Sequence, residues 1–526
     1  MGFLPSTRSQ LQTRSKRQAR YKIAAVILSG ACLFGRCPSL LAEEDASKAS
    51  AGNATAEVET VKLTIHPKAE TKPSLGIQLV LDPTEQLEGN AAIFYLKAMG
   101  FLEQDSARDN LRAVLKKGAE QAKATGKDPL DYPPYSYLEL RPEEYPKAEV
   151  RDYLKLLSFQ VPSLWEASRL RDFSMHRNIH LSDNPVGYLL PEMQAIRELA
   201  RNQSIRCRLA IAENRIDDAI EIIGQQLSMS RHISMDDFLV SYLVGSAVLG
   251  IAIEDTMLLQ EHAECPNLYW AFTQLPNPLL DSIRCLAFER QFVYLQVPKL
   301  KEIDTTPRSP AYWTEFIEEF AQRTLDIDQD NDQKFVISKI RGEGRVESIR
   351  KSIEENVPQA KEYLLGRGIL ARNTIESCPK EQLVFLAMKD YYEVNRDQQF
   401  KWIHVPYSVA LDNIVVASKK MQKDREQLGW FTRLTCQFIP GLEGFYTAVT
   451  RTRQRIAVVQ VIEAIRMAGA ENGGKLIDSL DKAPVPVPKD PITEKPFSYQ
   501  VSGKRAMLSS DFPTNAPVRI ELQFAE

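Results

Sequence analysis

Apolar residues return every three or four positions through most of the chain. Ala91–Phe101, Asn110–Ala124, Arg151–Leu157, Glu192–Asn214, Asp217–His232, Asp236–Leu259 and Leu279–Val293 each place them on one side of a helix. Trp313–Leu325, Phe335–Val357, Glu381–Asn395, Ser408–Gln427 and Arg451–Ala470 continue that pattern. Prolines 129, 133, 134, 142 and 146 break one connection, and prolines 276 and 278 another. Strand-like runs occur only towards the two ends: Val61–His66 and Leu75–Leu81 early, then Phe497–Val501, Ala506–Ser509 and Val518–Phe524 late. A proline-rich strap, Pro484–Pro491, precedes the late group. The pattern predicts a mainly α protein: a multi-helix body with helical hairpins, plus a small β-sheet formed by N- and C-terminal strands.

Two segments refine this picture. Leu209–Ile220 (LAIAENRIDDAI) reads as a helix end, a tight polar turn and an acid-rich helix start, resembling the turn of a tetratricopeptide helix pair. A repeat array needs about three such units and only this one is clear, so the expectation is one hairpin within a larger helical body. Phe238–Ile253 is the most apolar stretch after the first forty residues. At sixteen residues, with Ser241, Gly245, Ser246 and Gly250 inside it and Glu254-Asp255 directly after, it reads as a buried core helix.

Charge divides the chain unevenly. The formal net charge is −3, yet residues 1–42 carry seven basic groups and no acid, leaving 59 basic against 69 acidic groups elsewhere. That acidic remainder argues against a nucleic-acid surface. Basic residues up to Lys22, the apolar run Ile23–Gly35 and the small-residue end at Ala42 have the order of a secretory signal cleaved after Ala42. The expected location is periplasmic or extracellular, with envelope attachment if the signal is retained or Cys32 is lipidated. Residues 43–57 read as a disordered leader, 58–450 as a helical body with two N-terminal strands, and 451–526 as a C-terminal helix plus short sheet. Of seven cysteines, five lie beyond the signal: Cys207, Cys265, Cys285, Cys378 and Cys436. Their odd number and wide spacing do not describe a disulfide framework. Buried thiols are expected, with one bridge as the alternative.

The runs ARNQSIRCRLAIAENRIDDAI, NLYWAFTQLPNPLLD, PQAKEYLL, FKWIHVPY and GNAAIFYLKAM resemble a family of large exported, mostly helical bacterial proteins of unknown function. That resemblance implies no activity. VIEAIRMAGAENGGKLIDSLDK followed by VPKDPITEKPFSY resembles the soluble end of a type II secretion pseudopilin, which implies a helix, a strap and a short sheet. A pseudopilin begins with an apolar helix directly before this module, whereas here some 400 residues precede it, so the likeness implies local fold and not pilus building.

Motifs for chemistry are sparse. Gly469–Lys475 satisfies G-x-x-x-x-G-K, but Leu476 replaces the magnesium-binding hydroxyl and a helix precedes it, so it reads as a glycine-rich helix C-cap. His176 and His180 stand four apart, yet Arg177 occupies the place of the zinc-protease glutamate. His262-Ala263-Glu264 lacks the cysteine pair of a deaminase. Asp326, Asp328, Asp330 and Asp332 have the alternation of the front of a calcium loop and are the metal candidates, although Asn331 and Ile337 stand where glycine and a bidentate Glu belong. An acidic linker is the competing reading. Tyr269-Trp270, Tyr391-Tyr392 and Lys401-Trp402 read as core aromatics with groove lining as the alternative. Glu289 has Val293 one helical turn on and hence no acidic partner there. The expectation is an exported helical interaction or envelope-structural protein without catalysis, with a protein partner in the envelope and no cofactor beyond weak calcium. The alternative is an extracytoplasmic hydrolase or carbohydrate-active protein using carboxylates in a helical cleft.

Overall fold

A computed structural model describes residues 60–525 apart from 102–105, 127–131, 183–184, 186–189, 324–326, 330–334, 338–342, 511–517 and most of 428–440. The expected signal (1–42) and leader (43–57) lie outside the described residues.

The chain starts with β1 (Val61–Ile65) and β2 (Leu87–Asn90). Four helices follow: α1 (Ala92–Ala98), α2 (Ser106–Thr125), α3 (Lys147–Lys155) and α4 (Gln160–Ser168). A short β3 (Leu170–Asp172) pairs parallel with β2. The centre is α5 (Pro191–Ala212), α6 (Ile216–Ser234) and α7 (Leu239–Gln260). Pro191 opens α5 where its missing N–H costs nothing. Asn214 takes a left-handed φ of 59°, and Arg215 N–H closes onto the Ala210 carbonyl at 2.9 Å, so the three residues Glu213–Arg215 reverse the chain into α6. The tight turn expected over Leu209–Ile220 is therefore a real helical hairpin. Helices α6 and α7 touch closely because Gly245 faces α6 bare: a Cβ there would stand 2.7 Å from the Ser230 carbonyl oxygen.

Beyond them come α8 (Tyr269–Thr273), α9 (Ile283–Gln296), α10 (Pro310–Arg323), the ribbon β4 (Ile327–Gln329) and β5 (Phe335–Ile337), α11 (Glu343–Gly366), α12 (Arg372–Ser377), α13 (Lys380–Phe400) and α14 (Tyr407–Gln427). Helices α10, α11 and α13 share an aromatic core in which Phe385 meets Phe316 and Phe320 edge-on, with ring centroids 4.6 and 5.1 Å apart.

The long α15 (Leu442–Glu471) is buried on both sides. Towards α7 it sets Phe445 against Tyr242, and Thr452 Oγ1 against Ser246 Oγ at 3.0 Å. Towards the other side, Ala457, Val458, Val461, Ile462 and Ile465 pack on a sheet of β1 with β6 (Ser498–Ser502), β7 (Arg505–Ser510) and β8 (Val518–Phe524). Its order is β1-β8-β7-β6; β1 lies parallel to β8 in register Leu63↔Leu522 and Ile65↔Phe524, and the other pairs are antiparallel. The protein is mainly α, and its small sheet joins strands from both ends of the chain, as the pattern predicted.

Two element expectations need correction. Leu75–Leu81 is not a strand. Among the described residues no strand pairs with it, and Ile77, Leu79 and Val80 pack on the central core instead, where bare Gly224 of α6 lets the Leu79 backbone carbonyl come within 2.5 Å of where a Cβ would be. Phe335–Val357 is not one helix: Phe335–Ile337 pairs with β4, and the helix begins at Glu343. Three β-favouring residues in a row satisfied a helical spacing by coincidence. The apolar stretch within α7 is long enough and apolar enough to cross a membrane, but 72% of its apolar window is buried inside the protein, against α5, α6 and α15.

Candidate functional site

Residues Ile283, Leu286, Ala287 and Arg290 recur at offsets 0, 3, 4 and 7, so they form one face of α9. That face meets the end of α13 and the 3₁₀ turn Lys401–His404, and the two bound a cleft of about 360 Å³. From the second side come Asp397, Phe400, Lys401, Ile403 and His404. Leu286 and Phe400 belong to the central core, so the floor is rigid and apolar, while Ile283 is 67% exposed at the lip. Polar groups line the opening: the cations Arg290 and Lys401, the anion Asp397, and the His404 ring.

Arg396 fixes the spacing of the walls. Its Nη1 donates to the Arg290 carbonyl at 3.3 Å, its Nε donates to Asp397 Oδ1 at 2.9 Å, and its guanidinium lies 5.3 Å over the Tyr392 ring. Lys401 lies 5.0 Å over the Trp402 ring, which keeps its ammonium at the rim. On the same helix Glu289 is half-buried, and loss of hydration pushes its carboxyl up to about 7. Its charge also raises the neighbouring Cys285 thiol and Tyr392 hydroxyl, each already raised chiefly by its own burial. The site thus pairs an apolar trough with a mixed charged rim, and keeps beside it a carboxyl that exchanges its proton near neutral pH.

The sequence candidates are dispersed. Asp328 lies in β4 opposite Val336, while Asp326, Asp330 and Asp332 lie outside the described residues. Among the described residues no group of three or more His, Cys, Asp or Glu side chains is placed to hold a metal ion. His176 sits exposed in a loop with φ 47°, and His180 in the separate 3₁₀ turn Ile179–Leu181, so they share no helix face. Gly469–Lys475 closes α15: Gly473 and Gly474 are left-handed, and Gly474 N–H donates to the Gly469 carbonyl at 2.8 Å. Cys207, Cys265, Cys285 and Cys378 are free thiols, and Cys436 lies outside the described residues.

Of the aromatic groups, Tyr391 and Tyr392 are core. Tyr269 donates to the Pro486 carbonyl of the strap, and Trp270 Nε1 donates to Glu70 Oε1 at 2.8 Å. Only Lys401 reaches the cleft. Sequence reasoning missed the α9 side of the site, because an exposed Ile283 at helical spacing carries no mark that separates it from core. No family model, curated protein or solved structure matches the chain.

Proposed function

We propose that this is an exported helical interaction or envelope-structural protein without catalytic activity, and that it receives a protein partner in the α9–α13 cleft. The observation that carries this reading is the shape and chemistry of the cleft. It is an open trough with an apolar floor, an exposed aliphatic lip at Ile283 and charges of both signs at the rim. An apolar centre inside a polar rim is the arrangement of protein interfaces, and a groove between helices suits an amphipathic segment. Export rests on the basic and apolar order of residues 1–42. The pseudopilin likeness of residues 451–526 is kept as local fold; the sequence helix α15, strap, then β6 to β8 supports that and carries no pilus-building role.

The test is a photo-crosslinking residue in place of Ile283, activated in intact cell envelopes. One protein product, lost on Arg290→Glu and absent with the same probe at exposed Glu355, is expected. Products identical from both positions, or none, would sink the reading.

One observation favours a second reading, a hydrolase using carboxylates in a helical cleft. A carboxyl held near 7, as Glu289 is, has the property a general acid needs near neutral pH. Hydrolysis of an envelope polysaccharide by the purified protein, abolished in Glu289→Gln, would establish it over the binding reading.

A further inference from the structure

The cleft between α9 and α13 is closed at one end. Arg396 Nη1 donates to the Arg290 carbonyl at 3.3 Å. One turn further along α9 the Tyr294 hydroxyl donates to Glu393, which lies about one turn earlier on α13. The two helices are therefore antiparallel, and these cross-ties begin where the lining ends, at Arg290 and Asp397. Ile283, two turns back from Arg290, lies at the other end and is exposed there. A chain lying in the trough can enter past Ile283 but cannot run on beyond Arg290.

The closed end is one-sided in its polar groups. Asp397 is answered by Arg396 Nε at 2.9 Å, and Glu393 by the Tyr294 hydroxyl. Arg290 and Lys401 line the cleft with no acid in ion-pair reach among the described residues, and Lys401 stands over the Trp402 ring. Tyr392, buried beneath the Arg396 guanidinium, has a hydroxyl with no protein partner. Half-buried Glu289 lies outside the lining. Unpaired cations on a convex surface are ordinary. Flanking the apolar floor of Leu286 and Phe400 at the end of a blind trough, they set what the trough accepts.

We infer that the cleft takes the C-terminal end of its partner, with the terminal carboxylate between Arg290 and Lys401 and the last apolar side chain on Leu286 and Phe400. This rests on the partner reading of the cleft given above and adds which part of the partner enters. The Arg290 fork matches both carboxylate oxygens, and Lys401 adds a point charge. An acid in mid-chain would have to continue through the ties at Arg396 and Tyr294, whereas a chain that stops there places two acceptor oxygens and nothing beyond them. Recognition of a terminal carboxylate is an established mode of peptide binding.

Short peptides of randomised sequence with an apolar last residue, tethered by their N-termini, test this against the purified protein in two forms, free carboxylate and C-terminal amide. Selection from the free-acid pool alone is expected. In fluorescence anisotropy with a selected peptide, amidation, Arg290→Gln and Lys401→Gln should each weaken binding about tenfold, and Lys419→Gln on the exposed side of α14 should leave it unchanged. All three side chains are exposed, so the variants are expected to melt with the unaltered protein. No selected peptide, or equal binding of acid and amide, overturns the C-terminal assignment. A crosslink through Ile283 in envelopes alongside either of those results leaves the partner reading standing, and its absence removes that reading as well.

Discussion

Buried His232 and half-buried Glu289 place opposite pH dependences in one molecule. His232 Nε2 lies 2.9 Å from the Leu170 carbonyl, which can only accept, so Nε2 carries the proton and Nδ1 accepts from Tyr95 Oη at 2.9 Å. Both ring positions are used by the neutral form, and burial lowers the pKa to about 4. An unfolded histidine takes its proton near 6.5, so the stability tied to this residue is full above that pH. It is lost as pH falls from 6.5 towards 4, by about 3 kcal/mol in all. Urea unfolding at pH 7.5 and 5.0 should show this loss, and His232→Gln should flatten it; an unaltered slope would refute the assignment. Glu289 works the other way. Its folded form holds a proton up to about 7 whereas the unfolded carboxyl releases it near 4.5, so stability is greatest below 4.5 and declines as pH rises through 7. Glu289→Gln is expected to stabilise by about 2 kcal/mol at pH 8 and by almost nothing at pH 4.5, measured as denaturation midpoints. Glu289 was legible as a glutamate without an acidic partner one turn on, but its partial burial was not: a helical pattern assigns it a face without saying what covers that face.

Helices and strands were legible wherever one short-range period sufficed. α7 is buried nearly all round, as a sequence apolar on every face requires, whereas α5 also buries polar residues that no apolar spacing marks, Asn202, Arg206 and Arg208 among them. The failures came where a neighbour, not the period, chose the conformation. Leu75–Leu81 has strand-like composition, but α6 offers it the bare surface of Gly224 and no strand edge. Close approach makes two glycines testable. At Gly245 a methyl would meet the Ser230 carbonyl, and at Gly469 it would stand 2.3 Å from Phe524 Cζ on β8. Backbone cannot swing aside as a ring can. Gly245→Ala should therefore cost about 1–3 kcal/mol, and Gly469→Ala less if the Phe524 ring turns away, with thermal melting as the measurement. Equal effects would mean the α6–α7 contact relaxes as readily as a side chain. The candidate aspartates show the same limit of local pattern: alternation at 326, 328, 330 and 332 also fits a strand, and Asp328 does lie in one.

The whole molecule is tied together by contacts between residues hundreds of positions apart. Fully buried Arg466 pairs with Glu463 and also donates to the His66, Cys265 and Pro266 carbonyls, fastening the exit of β1 and the turn after α7 to α15. Removing one partner of such a pair leaves an uncompensated charge, so Arg466→Ala should cost about 3–5 kcal/mol. Hydrogen exchange offers a test at this scale. The amides of β1 and β8 should open together with α15 as one unit, and in Arg466→Ala β1 should exchange faster. A β1 that exchanges freely in the unaltered protein would show it is an appendage. From the sequence alone came the helical character, the positions of the longer helices and of the strands that form the terminal sheet, and the meeting of N- and C-terminal strands. Those follow from periods of two and 3.6 residues, and from the need of a strand to find a partner. Only the tertiary structure decided that β1 runs parallel to β8 and that α9 and the end of α13 bound a cleft. Each of these depends on which faces of distant elements meet, and that is set by packing and charge compensation across the core rather than by any neighbour in sequence.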